Sequence, residues 1–334
     1  MMKAFHKALV VTGLCVSMAL GVTGCAGKTL DGSKTVATVG EKTMTLGEAN
    51  FLLRYEQVQI ETYYETMLGD GVFGMDLYGD GSTFGAHMKD DIMTQMYEYY
   101  ILEDKAAEYG VELTEEETTA ITEAATAFLA ANGTDVQEQM TADQATVERV
   151  LTLMTIGQKT ANAICATADV TVSDEDAAQR GFSYISISKG SDEEALTDDE
   201  IQANKELLTA VAASVASGNT LDAAAVEQGL TASTGSYGKD YTSSYDDALI
   251  AALDALSEGE VSDVIETDTY LYLAQLTAEL DEEATASRKA TLIQNAQSEY
   301  YEEVMAAWKE AYPLTVVEAV WDDVVFDRSY ELVE

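Results

Sequence analysis

A chain of 334 residues, 47% hydrophobic and 23% charged, is long enough for about two domains and too apolar to be disordered throughout. Its 18 Lys and Arg stand against 60 Asp and Glu, a net charge of −42 that repels phosphate backbones and excludes nucleic acid as a partner. Two histidines, His6 and His87, exclude a multi-histidine metal site, and one proline, Pro313, excludes a proline-rich recognition tract. No cofactor and no resident metal is expected.

The chain opens with Lys3 and Lys7 ahead of an apolar run, Ala8 to Val22. That run is shorter than the ~20 apolar residues of a comfortable membrane span. It ends in Val22-Thr23-Gly24-Cys25, small residues before a cysteine, which resembles a bacterial lipobox. The resemblance implies a signal peptide over 1–24, cleavage before Cys25, and a lipidated Cys25 whose two acyl chains hold the protein on the outer face of the cell membrane. An ordinary secretory signal with a chance cysteine is the alternative. Residues 25–35, rich in Gly, Lys, Thr, Asp and Ser, read as a tether. With Cys15 in the leader, only Cys165 is left, so no intrachain disulfide can form in the mature chain. Cys165 lies near the stripe Val147, Val150, Leu151, Met154 and Ala161, and a buried, inert thiol is expected.

Residues 36–169 read as a helical lobe. Val36–Val39 and Lys42–Thr45, joined by Gly40-Glu41, suggest a hairpin. Thr45 with Glu48 forms a capping box for a helix to about Leu68. The loop 69–85 carries Asp70, Asp76 and Asp80 without the spaced frame of a calcium loop, so a solvated loop is expected there. Apolar spacings of three and four then predict three helices: one through Ile92, Met96 and Leu102 to Gly110, one from Thr114 to Asn132, and one over about Ala142–Ala166. The pairs Tyr63-Tyr64 and Tyr99-Tyr100 are read as helix packing, with a client groove as the alternative.

The pattern changes near Val170. Phe182 to Ile187 alternates with period two, placing Ile185 and Ile187 on one face and Phe182, Tyr184 and Ser186 on the other. Helices to about Gly218 and over Leu221–Gln228, a loop over Thr231–Tyr245, a helix near Asp246–Leu256, and strands at Val264–Glu266 and Tyr270–Leu276 complete an α+β domain, 170–280. The last block, 281–334, starts with a helix over about Glu282–Tyr312 bearing Ile293, Ala296, Tyr300, Val304 and Trp308. At ~1.5 Å per residue it reaches about 45 Å, too far for one small domain, so it should return to the N-terminal helices. Thr315–Val320 and Trp321–Phe326 read as closing strands.

Leader, helical lobe, central α+β domain and long returning helix together resemble the secretion foldases of the PrsA/SurA type. In these, a parvulin-type peptidyl-prolyl isomerase domain is inserted into a chaperone lobe built from both chain ends. Leu256-Ser257-Glu258-Gly259-Glu260-Val261-Ser262 resembles the parvulin turn into a strand, Gly218 to Ala225 a helical motif of that domain, and Gly235-Ser236-Tyr237-Gly238 its "G-D-L-G" segment. The resemblance implies an extracytoplasmic chaperone for unfolded secreted polypeptides, and allows a homodimer. It also implies a peptide groove at Tyr184, Tyr237, Tyr245, Leu249 and Leu271. Tyr184 and Leu271 fall where parvulins carry histidines, so no catalytic residue is assigned and isomerase activity stays open. The alternatives are a non-catalytic cell-surface adaptor and a solute-binding lipoprotein, the latter disfavoured by the lack of repeated βαβ alternation.

Overall fold

The computed structural model describes residues 19–24, 29–68, 71–190, 195–239 and 245–333. The expected lipidation site, Cys25, and Asp70 lie outside the described residues, as do the side chains of Tyr63 and Tyr64. The chain is α+β and divides into two compact units: Met1–Ala168 with Ser298–Glu334, and Asp169–Gln297. No helix among the described residues is long and apolar enough to cross a membrane.

In the first unit, β2 (Thr35–Val39) lies between β3 (Lys42–Thr45) and β8 (Leu314–Val316), antiparallel to both. Their apolar positions, Val36, Ala37, Val39 and Met44, are fully buried. Thr45 caps α1 (Leu46–Leu68) as its sequence requires: the Thr45 N–H donates to Glu48 Oε2 at 2.6 Å, and the Glu48 N–H returns to Thr45 Oγ1. Helices α2 (Phe84–Lys105), α3 (Glu115–Ala131) and α5 (Gln144–Thr167) carry the stripe residues Ile92, Met96, Ile121, Phe128, Val147 and Val150 into one core. A short helix α4 (Thr134–Gln139), unannounced by any long periodicity, packs Val136 against the same core.

Cys165 is half-buried rather than buried, one position off the buried Ile164. In the acidic loop, Asp76 closes turns by accepting from the N–H groups of Gly79 and Gly81 at 2.7 and 2.9 Å. Asp80 accepts from the Ser82 N–H and faces His87. Among the described residues no group of three His, Cys, Asp or Glu is placed to hold a metal ion.

The long helix α10 (Glu282–Ala311) contributes residues to both units. From Ser298 onward, Met305 is buried in the core of the first unit, and Tyr300, Tyr301, Val304 and Trp308 pack against it. The strand expected over Thr315–Val320 is cut to β8 by a turn of helix, α11 (Glu318–Trp321), that buries Trp321, and the one expected over Trp321–Phe326 gives way to turn and irregular chain after it. The final strand comes later, as β9 (Arg328–Val333), paired antiparallel with β1 (Ala19–Gly24).

In the second unit, a four-stranded antiparallel sheet runs β5 (Ser233–Gly238), β4 (Gln179–Ser188), β7 (Tyr270–Ala278), β6 (Ile265–Glu266). The strand β5 lies inside the segment expected as a loop. Its Ser and Gly residues have little strand preference of their own, and six paired positions along β4 impose the extended form. Both faces of the sheet are covered. Ile185, Leu271 and Leu273 meet α7 (Asp198–Ala216) and α8 (Leu221–Glu227) through Leu208, Val211, Leu221 and Ala225. Phe182, Tyr237, Ala274 and Leu276 meet α9 (Asp247–Asp254) through Leu249 and Leu253. Before β4 lies a single turn, α6 (Asp174–Ala177), capped by Ser173.

Candidate functional site: an aromatic groove

The α9 face of the sheet in the second unit gathers most of its aromatic residues. Strand alternation puts Phe182 and Tyr184 on this face of β4. The β4–β7 register sets Ser186 against Tyr272, and so brings the Tyr272 ring to the same face. Phe182 is the hub: its ring lies 5.5 Å from Tyr184, 5.8 Å from Tyr237 and 5.0 Å from Tyr245, the last two edge-on. Tyr245 also meets Tyr184 edge-on at 5.9 Å. Such edge-to-face pairs match ring edges to ring faces and add ~0.5–1.5 kcal/mol each beyond area burial. The close packing needs a glycine opposite. A Cβ on Gly235 would lie 2.3 Å from the Tyr245 hydroxyl and 2.8 Å from the Phe182 ring.

Polar groups frame the rings. Arg180 Nη1 donates to the Tyr237 hydroxyl at 2.8 Å, and that hydroxyl donates to Asp254 Oδ1 at 2.9 Å. Arg180 Nη2 holds the Leu256 carbonyl at 2.9 Å, tying the end of α9 to β4. The guanidinium also lies 5.7 Å from the Tyr237 ring centre, a cation–π distance. On the other side, the Tyr272 hydroxyl donates to Asp246 Oδ2 at 2.7 Å. Burial, then the bond to Asp254, push the Tyr237 phenol up to about 12 against the pull of Arg180. Burial and Asp246 push Tyr272 upward too. Both phenols therefore remain neutral donors at physiological pH. Beside the rings opens a hollow of about 620 Å³, lined by Arg180, Tyr237, Lys239, Tyr245, Ile250 and Asp254 among others.

Of the five residues expected in the groove, Tyr184, Tyr237 and Tyr245 share this cluster, with Tyr184 and Tyr245 only partly buried. Leu249 belongs to the cluster but is 1% exposed, so it supports the rings from below. Leu271 does not join them. It packs on the opposite face with Ile185 and Leu208. A strand alternates faces with each residue, so one position decides the side, and the groove-side residue is Tyr272. Phe182, Arg180, Asp246 and Asp254 were not singled out either. Phe182 carried a signal, since it shares the parity of Tyr184. Arg180 and the two aspartates carried none, because their partners are distant in sequence.

The site offers ring faces and neutral phenols but no imidazole, and the chain's one free cysteine among the described residues, Cys165, belongs to the other unit. Turning a prolyl bond means easing a barrier of ~18–20 kcal/mol, and a thousandfold acceleration requires ~4 kcal/mol of preference for the twisted form. Arg180, a charged donor beside the rings, is already engaged by Tyr237, Asp254 and two carbonyls.

No protein-family model and no curated protein sequence matches the chain. Solved structures similar to it include a SurA-like chaperone from Campylobacter jejuni, at 10% identity, covering 85% of this chain and 99% of that one, TM-score 0.29. Another is the peptidylprolyl isomerase PrsA from Bacillus cereus, at 14% identity, covering 88% and 97%, TM-score 0.32. A third is the foldase protein PrsA from Streptococcus pneumoniae, at 17% identity, covering 71% and 89%, TM-score 0.33. At these TM-scores and identities the likeness carries no argument about function.

Proposed function

We propose that the chain is an extracytoplasmic, lipid-anchored foldase of the PrsA/SurA type that holds unfolded stretches of secreted polypeptides, with a parvulin-like domain in the second unit. The observation that carries this reading is the partly buried pair Tyr184 and Tyr245, seated on the buried rings of Phe182 and Tyr272 with Tyr245 lining an open hollow, and without an imidazole. Such a surface takes up extended apolar segments by burial, at ~25 cal/mol per Å² less the cost of ordering them. It recruits clients without chemistry on them, so the chaperone activity is the principal one and prolyl isomerisation is weak.

Two assays separate the parts of this reading. The ectodomain should suppress aggregation of an unfolded client at stoichiometric ratio, while a protease-coupled prolyl assay should show less than the thousandfold acceleration defined above. Strong isomerase activity would refute the histidine-free argument, and failure to suppress aggregation would favour the adaptor alternative. The anchor is tested separately. Mass spectrometry of the membrane fraction should find the mature N-terminus at an acylated Cys25, and Cys25→Ala should leave the protein unprocessed or release it. A chain starting elsewhere with unmodified Cys25 ends the lipoprotein reading.

A further inference from the structure

The strand β9 is held by two quite different neighbours. On one side, buried side chains along α1 take the place of a strand. Gln57 Nε2 donates to the Arg328 carbonyl and the Tyr330 N–H donates to Glu61 Oε2, both at 2.7 Å, while ahead of the strand Arg54 Nη2 donates to the Val325 carbonyl at 2.7 Å. Arg54, Gln57 and Glu61 are each under a tenth exposed and bond to one another in sequence along the helix. Backbone groups of successive strand residues point to opposite sides. Arg328 and Tyr330 are thus committed to α1, and Ser329 and Glu331 turn the other way.

On that other side lies β1, with Thr23 opposite Ser329 and Gly21 opposite Glu331. Its Leu20 is buried in the core of the unit, and the Leu20 N–H donates to Oδ1 of the buried Asn132 at 2.9 Å. β1 is Ala19–Gly24, the end of the leader that the lipobox reading removes.

We infer that the edge of β9 is a strand-acceptor site, filled in the precursor by the leader's own residues and opened to client polypeptide when cleavage before Cys25 takes them away. This rests on the leader removal proposed above. The seated segment defines the occupant: an extended, uncharged stretch, Ala-Leu-Gly-Val-Thr-Gly, in which a leucine enters the core between small residues. Main-chain pairing gives such a site its grip, and the leucine position gives its preference. While the segment stays covalently attached, its effective concentration of order millimolar for a short link keeps free peptide out. Processing therefore switches the site on only after export.

The test uses two lipid-free forms of the full chain, one starting at Ala19 and one at Cys25, titrated with a fluorescein-labelled Ala-Leu-Gly-Val-Thr-Gly peptide. The Cys25 form should bind at least ten-fold more tightly than the Ala19 form. A peptide with the change Leu20→Asp should lose binding, and Ser329→Pro, which deletes an N–H toward β1 and spares the Tyr330–Glu61 bond, should weaken binding at least ten-fold. Equal binding to both forms, no binding to the Cys25 form, or a dimer of that form dispersed by the peptide would each overturn the client assignment. Because both forms are defined at their N-termini, this result stands apart from the mass-spectrometric test of leader removal. If that test fails while the titration succeeds, the slot exists but keeps its own strand, and the switch falls with the anchor reading.

Discussion

Replacing Phe182 by alanine should lower the stability of the second unit by about 3–5 kcal/mol, the range for truncating a buried aromatic ring. Phe182 is 1% exposed, and its ring is the shared partner of Tyr184, Tyr237 and Tyr245. Truncation removes three ring contacts and leaves a cavity bounded by β5, whose Gly235 has no side chain to fill it. Phe182→Leu keeps most of the volume and should cost less than half as much. Urea unfolding followed through the tyrosine signal measures both. A loss below ~1 kcal/mol, the scale of an ordinary surface change, would show that the cluster does not depend on this ring.

The second large effect lies in the first unit. Arg149 pairs its two terminal guanidinium nitrogens with the Glu103 carboxylate and places Nε 3.3 Å from Glu48 Oε1. The Glu48 carboxylate is also the capping acceptor for α1 and accepts from the Tyr100 hydroxyl at 3.0 Å. Arg149→Met would strip the shared cation from two poorly solvated carboxylates, leaving Glu103 only Lys42 at 3.5 Å. Breaking a fully buried pair costs ~3–5 kcal/mol. The Arg149 side chain keeps 32% of its exposure, so about 2–3 kcal/mol is expected after solvent screening. The pH dependence has a definite sign. Burial pushes Glu103 upward, but the hydrogen bonds and charge of Arg149, with Lys42, more than offset it and hold the carboxyl below its ordinary value. A depressed folded pKa stabilises above the unfolded value and loses that contribution as pH falls through the folded one. The gap between wild type and Arg149→Met should therefore be full near pH 7 and shrink below about pH 4.5. A gap that widens on acidification would contradict the pairing.

The elements legible in the sequence were those with local causes. Thr45 and Glu48 announced the start of α1 through a capping box, apolar spacing after Thr114 announced α3, and the alternation from Phe182 to Ile187 announced β4. What sequence concealed was set by distant partners. β5 is a strand because β4 pairs with it, and α11 cuts the expected strand short because Trp321 is buried there, against the β preference of Val320. β1 is extended because β9, about three hundred residues away in the chain, supplies its hydrogen bonds. The groove follows the same division. Tyr184 was legible from strand parity, whereas Leu271 was misplaced by one position on β7, where both neighbours are apolar or aromatic and the register alone chooses.

The central claim is that the second unit binds extended polypeptide through ring surfaces rather than through titrating groups. It is tested most directly by titrating the whole ectodomain with a labelled, unfolded apolar peptide at several pH values between 5 and 8, alongside Tyr184→Ala and Tyr245→Ala. Histidine, the side chain whose ordinary titration falls in this window, is absent from 169–297. Each alanine variant should weaken binding by about ten-fold, the size of one lost aromatic contact of ~1.4 kcal/mol, and the wild-type affinity should stay level across the range. Binding unchanged in both variants, or an affinity that swings with pH near 6.5, would place the client site elsewhere.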